Sequence, residues 1–317
     1  MKKKKNKLSP DVGLAKEQYE AINKNFYEGF IFDFYDIKLI NLVSLVSNTD
    51  DFINSIIGKK LKIETFEVNL KEEELIKEDI KKFAKLEIAM TYYHCLETFI
   101  RLFLAHATLS GCPWLSLSRL NNTKYKTELQ NLSKNNFENL NKTLNENDTV
   151  LFVLTGQTKL IDGLTVEDVK GFRNWISWSA IQLLKTYDYN SFKHGLAISP
   201  KTAGVKIRGN SDFEIQKQGE VLEFISKNEK ENRFVWTKEI VWIPYDSRAA
   251  IISTVSNMIK NIMIVGKAIA FKESCALIGL PKKELSPEFL LKHDNDSIFN
   301  ITGFKQELLY YKMDCEN

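Results

Sequence analysis

Residues 71–109 contain neither glycine nor proline and are dense in Leu, Ile, Ala, Glu and Lys. Such a run has one stable local conformation, a long helix, because most of its residues lose little rotamer freedom there and nothing interrupts the hydrogen-bond ladder. Glu72, Glu73 and Glu74 suit the positive end of that helix, and Ser110, Gly111 and Pro113 stop it. Ile88, Tyr92, Leu96, Phe99, Phe103 and Ala107 recur at spacings of three and four, which predicts a core-facing stripe. A helix of this length needs apolar elements to cover it.

The chain supplies them on both sides. Tyr19, Ile22, Phe26 and Phe30 predict an amphipathic helix over 15–34, and residues 37–57 read as a further apolar helix interrupted by a turn at 48–50. Residues 61–68 alternate and predict a short strand. Thr165-Val166-Glu167-Asp168 places an acid three residues after a hydroxyl, the signature of a helix start, and predicts a second long helix running to about His194 with Gly195 after it. The period then changes to two. Runs at 205–208, 213–216, 221–226 and 233–243, broken by Gly209, Gly219 and a polar turn, predict strands that end at Pro244. Ser247 caps a third long helix to about Phe271, Pro287 opens a short one, and a last amphipathic piece lies near 304–311.

The predicted fold class is therefore mainly α, a helical bundle with an inserted antiparallel β-meander at about 203–243. Residues 1–10, with five lysines ahead of Pro10, read as a disordered basic arm. Residues 11–317 read as a single mainly helical domain, with a polar, Asn-rich excursion at about 118–148.

Composition and motifs exclude several classes. At 317 residues, 44% hydrophobic, the chain is long enough for a full core without staples. Cys95, Cys112, Cys275 and Cys315 are scattered, so neither a zinc site nor a disulfide framework is expected. No P-loop, dinucleotide fingerprint, nucleophile elbow or zincin motif occurs, so no cofactor and no metal are expected. The basic N-terminus is not followed by an apolar segment, and the apolar stretch at 251–271 is interrupted by Ser, Asn and Lys. The expected location is the cytoplasm, with no membrane partner. A net charge of +3 neither demands nor excludes nucleic acid.

Candidate chemistry centres on the histidines, since imidazole is the commonest acid–base group near neutral pH. On the long helix Glu87, Thr91, His94, Thr98 and Arg101 share an arc of roughly 80° opposite the core stripe, and Glu97 sits four residues before Arg101, within ion-pair reach. His106 lies about 140° further round, so Arg101 and His106 do not share a pocket on one straight helix without a second element or chain. On the second helix Asn190, Lys193 and His194 fall at i, i+3 and i+4 and face one way, either as a helix C-cap or as an anion site. His293, among Asp294 and Asp296, reads as a surface turn.

The spacing Arg101-x4-His106, together with Asn190-x-x-Lys193-His194-Gly195, resembles the HEPN domain family over residues 70–110 and 165–270. These are helical bundles, many of them metal-independent ribonucleases of bacterial defence and toxin systems that act as dimers. The resemblance implies Arg101 as the stabiliser of phosphate charge and His106 as the general base for 2′-OH attack. It also implies His94, Glu97, Asn190, Lys193 and His194 as substrate contacts, with RNA and a homodimer or partner protein as partners. The alternative is a non-catalytic helical interaction protein, a partner subunit of a defence or regulatory complex. The first reading requires Arg101 and His106 to be exposed and paired, and the second requires them to be separately satisfied.

Overall fold

The glycine-free run is one helix over Lys77–Ala107, the fourth in chain order (α4), in a computed structural model that describes residues 14–69, 76–108, 111–141, 143–185, 198–208, 214–230, 233–279, 285–292 and 303–307. Ahead of it lie α1 (Lys16–Glu28), α2 (Phe34–Ser47), α3 (Thr49–Ile56) and a hairpin of β1 (Lys60–Ile63) and β2 (Phe66–Asn69). After it come α5 (Pro113–Arg119), α6 (Asn122–Ser133), α7 (Glu146–Thr155) and α8 (Val166–Leu184). Strands β3 (Ile198–Arg208), β4 (Glu214–Lys230) and β5 (Arg233–Trp242) precede α9 (Tyr245–Phe271), α10 (Pro287–Lys292) and β6 (Gly303–Glu307). The fold is mainly α, with ten helices and two antiparallel sheets among the described residues.

Burial follows the predicted stripe on α4 and then exceeds it. Ile88, Tyr92, Leu96, Phe99, Phe103 and Ala107 are all buried, and from Ile88 to Ala107 only His94 is exposed. Thr91, expected on the outer arc, has no exposed surface. The helix is covered on nearly every side: on its polar arc Thr91 is buried and Glu97, Thr98 and Arg101 are half-buried, which leaves His94 exposed.

The chain divides into two compact units. The first comprises residues 1–36, 95–184 and 253–287. Its core is aromatic: Phe99 and Phe103 of α4 meet Phe172 of α8 edge to face at 5.8 and 6.4 Å, and Phe103 meets Phe137 at 6.1 Å. Each such side chain contributes about 1.5–3 kcal/mol on burial. The predicted polar excursion contains α6, which buries Tyr125, Leu129 and Leu132. Its Asn-rich sequence serves caps: Asn121 and Asn145 accept from the backbone of Lys124 and Asp148. Residues 150–154 lie within α7, and Gly156 after it takes the left-handed conformation (φ 76°) that closes a helix. The predicted face of Tyr19, Ile22, Phe26 and Phe30 is half-buried, and Tyr27 beside it is the fully buried residue of α1. Lys260 of α9 is held by Asp33, at 2.6 Å, and by Asp36. Burial works against its charge, yet these two carboxylates hold its pKa above the ordinary value.

The second unit comprises residues 37–94, 185–252 and 288–317 and carries both sheets. The predicted meander is β3-β4-β5, and β6 adds a fourth antiparallel strand where an amphipathic piece of unspecified structure was expected. Leu222 packs with Ala89 and Met90 of α4 and Ile243, whereas its neighbour Val221 packs with Ile240 and Trp242, so both faces of β4 are buried at this point. Arg248 of α9 is buried over the rings of Tyr92 and Tyr93, at 4.7 and 5.1 Å, and donates to the Ala89 carbonyl.

Helix α9 is long and apolar enough, by length and composition, to cross a membrane, with a mean hydropathy of 1.4 in its best window. Of that window 72% is buried inside the protein, the environment of a core helix. The basic arm at 1–10, the helix end at 186–195 and His293 lie outside the described residues.

The predicted capping signal before α8 is present as drawn. The Asp168 carboxylate accepts from the Thr165 backbone N–H at 2.8 Å and from its hydroxyl at 2.6 Å, and the Asp168 N–H donates to the Thr165 Oγ1. The Thr165 hydroxyl, and next its backbone N–H, hold the Asp168 carboxyl below its usual range. Thr165→Ala is expected to lower unfolding free energy by about 1 kcal/mol in urea denaturation at pH 7, with a native circular dichroism spectrum retained.

Candidate functional site

Arg101 and His106 stand on the same helix and serve different clusters. The Arg101 Nε donates to Glu97 Oε1 at 2.8 Å, and its guanidinium lies 4.1 Å from the centre of the Tyr125 ring. A longer contact of 3.5 Å reaches the Leu120 carbonyl at the end of α5. The cation thus ties α4 to the α5–α6 corner and has its charge matched by Glu97, whose side chain is 18% exposed. The predicted pairing of Glu97 with Arg101 is therefore present as an ion pair within the helix.

His106 faces α1 and α9. Its Nδ1 lies 2.7 Å from the Leu102 carbonyl. A carbonyl only accepts, so Nδ1 carries the hydrogen and Nε2 is left as an acceptor. The Tyr27 hydroxyl lies 3.2 Å from Nε2 and donates to it. Burial pushes the imidazole pKa down to about 4, against the opposing pull of the Leu102 hydrogen bond. Burial, and secondarily the nearby Cys112, pushes the Tyr27 phenol up, so it keeps its proton. The result is a directed chain from Tyr27 through a neutral His106 to the Leu102 carbonyl.

Gly266 of α9 allows this chain to exist. A Cβ there would fall 2.5 Å from His106 Nε2 and 2.6 Å from the Tyr27 oxygen, closer than atoms approach without displacement. These groups border a cavity of about 400 Å3. Its polar members are Asn23, Tyr27 and His106, its walls include Phe152, Val153, Val265 and Ile269, and no charged side chain lines it.

The remaining predicted residues are not gathered here. His94 is exposed and belongs to the other compact unit. Asn190, Lys193 and His194 lie outside the described residues, and α8 ends at Leu184. On the outer arc, Glu87 pairs with Lys38 at 3.1 Å and Thr98 shares a hydrogen bond with Tyr35 at 2.6 Å. Among the described residues no group of three or more His, Cys, Asp or Glu is placed to hold a metal ion.

Asn23, Tyr27 and Gly266 escaped sequence reasoning, since they come from helices far from α4 in the chain. The Arg173 cluster escaped it too. Arg173 donates to Asn147 Oδ1 at 2.5 Å and to Glu146 Oε2 at 3.0 Å and covers the Phe137 ring at 4.5 Å, beside a cavity of about 770 Å3. Its position on α8 carried no motif that set it apart from a surface arginine.

The neutral state of His106 sets a pH dependence. The unfolded histidine titrates near 6.5 and the folded one near 4, so between these values only the unfolded chain takes up the proton. Stability is therefore full above about pH 6.5 and is lost as pH falls toward 4, by on the order of 2–3 kcal/mol. Urea denaturation at pH 7 and pH 4.5 is expected to show this loss in the wild type and a clearly smaller one in His106→Gln. Equal losses in both proteins would mean that His106 titrates in solvent.

Compared with known proteins, the chain matches no family model, no curated protein and no solved structure.

Proposed function

We propose that this chain is a non-catalytic helical interaction protein that works by associating with a second copy of itself, and that it does not cleave RNA through Arg101 and His106. The observation that carries the reading is their separate commitment: the Arg101 charge to Glu97 and Tyr125, the His106 acceptor nitrogen to Tyr27. A general base works best with a pKa near the operating pH, and a value of about 4 leaves His106 a weak one. The lining of its cavity includes no cation that would meet a phosphate.

An unmet apolar face supports the interaction role. In the β1–β2 hairpin Ile63 pairs with Phe66 and Leu61 with Val68, so all four share one face, while Lys60, Lys62 and Glu67 share the other. Leu61, Ile63 and Phe66 are 41%, 76% and 66% exposed. A two-stranded hairpin is marginal by itself in water, and an apolar face of this kind is stable when covered. Ile37, Ile40, Phe52 and Phe83 of the same unit are exposed as well. An apolar face can pair with its own copy without opposing charges, as a two-fold contact requires.

Two measurements test this reading. Purified protein with EDTA present is expected to leave RNA uncut, for wild type and His106→Ala alike. Chelator-resistant cleavage that disappears in His106→Ala would restore the ribonuclease reading. By light scattering coupled to size exclusion, the wild type is expected to be a dimer at micromolar concentration and Ile63→Lys/Phe66→Lys a monomer with an unchanged circular dichroism spectrum. A wild-type monomer would overturn the self-association.

A further inference from the structure

The direction of the Tyr27–His106–Leu102 chain determines what the adjoining cavity has left to offer a ligand. Because the Leu102 carbonyl fixes the hydrogen on His106 Nδ1, the Tyr27 proton is committed to Nε2. The capacity left at Tyr27 is the lone pairs of its oxygen, and among the described residues no donor serves them. Asn23 repeats the pattern: its amide nitrogen donates to the Gly111 carbonyl at 2.6 Å, and its Oδ1 has no donor among the described residues. The oxygens of Tyr27 and Asn23 are thus left as acceptors, beside one remaining N–H of the Asn23 amide. Both acceptors are uncharged, since the Tyr27 phenol keeps its proton and no charged side chain lines the cavity.

We infer that this cavity is a binding site for a compact, uncharged, largely apolar molecule that carries an N–H or O–H donor, which the Tyr27 oxygen accepts. The walls of Phe152, Val153, Val265 and Ile269 take the apolar body, and the volume of about 400 Å3 falls in the usual range for small-molecule sites. Anions are disfavoured because the acceptors repel them and no lining cation compensates. Cations are disfavoured because burying a charge without a counter-charge is costly. Gly266 matters here as well, since any side chain at that position would displace the groups that read the donor. The donor bond gains from its place at the end of a polarised chain. The inference does not depend on the self-association proposed above.

The probes are indole and benzofuran, which share a shape and differ in the presence of an N–H. Isothermal titration of the full-length protein is expected to give indole about five- to tenfold tighter binding than benzofuran, the size of one net hydrogen bond. In Tyr27→Phe that preference is expected to fall to less than twofold while both probes still bind. In Val153→Trp, which fills the cavity, neither is expected to bind. Absence of indole binding to the wild type, or equal binding of the two probes, would overturn the inference without recourse to any variant. A preference that survives in folded Tyr27→Phe would overturn the role of Tyr27 as the acceptor.

Discussion

Helix α4 is buried on almost every side from Ile88 to Ala107, and the rest of the structure follows from that burial. A helix enclosed in this way leaves its polar side chains no common solvent face. Arg101, Thr98 and His106 find partners on α4 itself or on the elements that cover it, because an unpaired polar group in the interior costs more than a paired one returns, whereas the buried Thr91 hydroxyl has no hydrogen-bond partner among the described residues. Arg101 therefore goes to Glu97 and Tyr125, Thr98 to Tyr35, and His106 to Leu102 and Tyr27. These are different directions because different helices cover different sides. The separation of Arg101 from His106 is a consequence of enclosure as much as of the 140° between them.

The same enclosure explains the contrast between two buried basic groups in the first unit. Lys260 and His106 both lose hydration. Lys260 meets Asp33 and Asp36, whose combined attraction outweighs the loss and keeps it charged. His106 meets a carbonyl, a phenol and a glycine, none of which repays the burial of a cation, so it stays neutral and acts as a hydrogen-bond relay. The charge state of each group is set by what faces it from another helix.

Much of the fold was legible in the chain because its signals are local. The glycine-free run, the Thr165/Asp168 start of α8, Pro287 at the first turn of α10 and the change of period before the meander each depend on residues a few positions apart. The predicted strand at 61–68 proved to be a hairpin, since Glu64 (φ 52°) turns the chain between Ile63 and Phe66. The reading failed where a partner distant in sequence decides the outcome. Residues 303–307 become a strand because β5 offers an open edge, and Tyr27 is buried in α1 because it meets His106 and Phe271.

By itself the sequence determined the helical class, the inserted meander, the long central helix and the angular separation of Arg101 from His106, all of which follow from propensity and period along one stretch of chain. Only the tertiary structure decided the tautomer and charge of His106, the capture of Arg101 by Tyr125, and the cavity that Asn23, Tyr27 and Gly266 build beside the imidazole. The physical reason is that hydration, hydrogen-bond direction and close approach are properties of atoms brought together from α1, α4 and α9, and no spacing within one helix encodes which of them will meet.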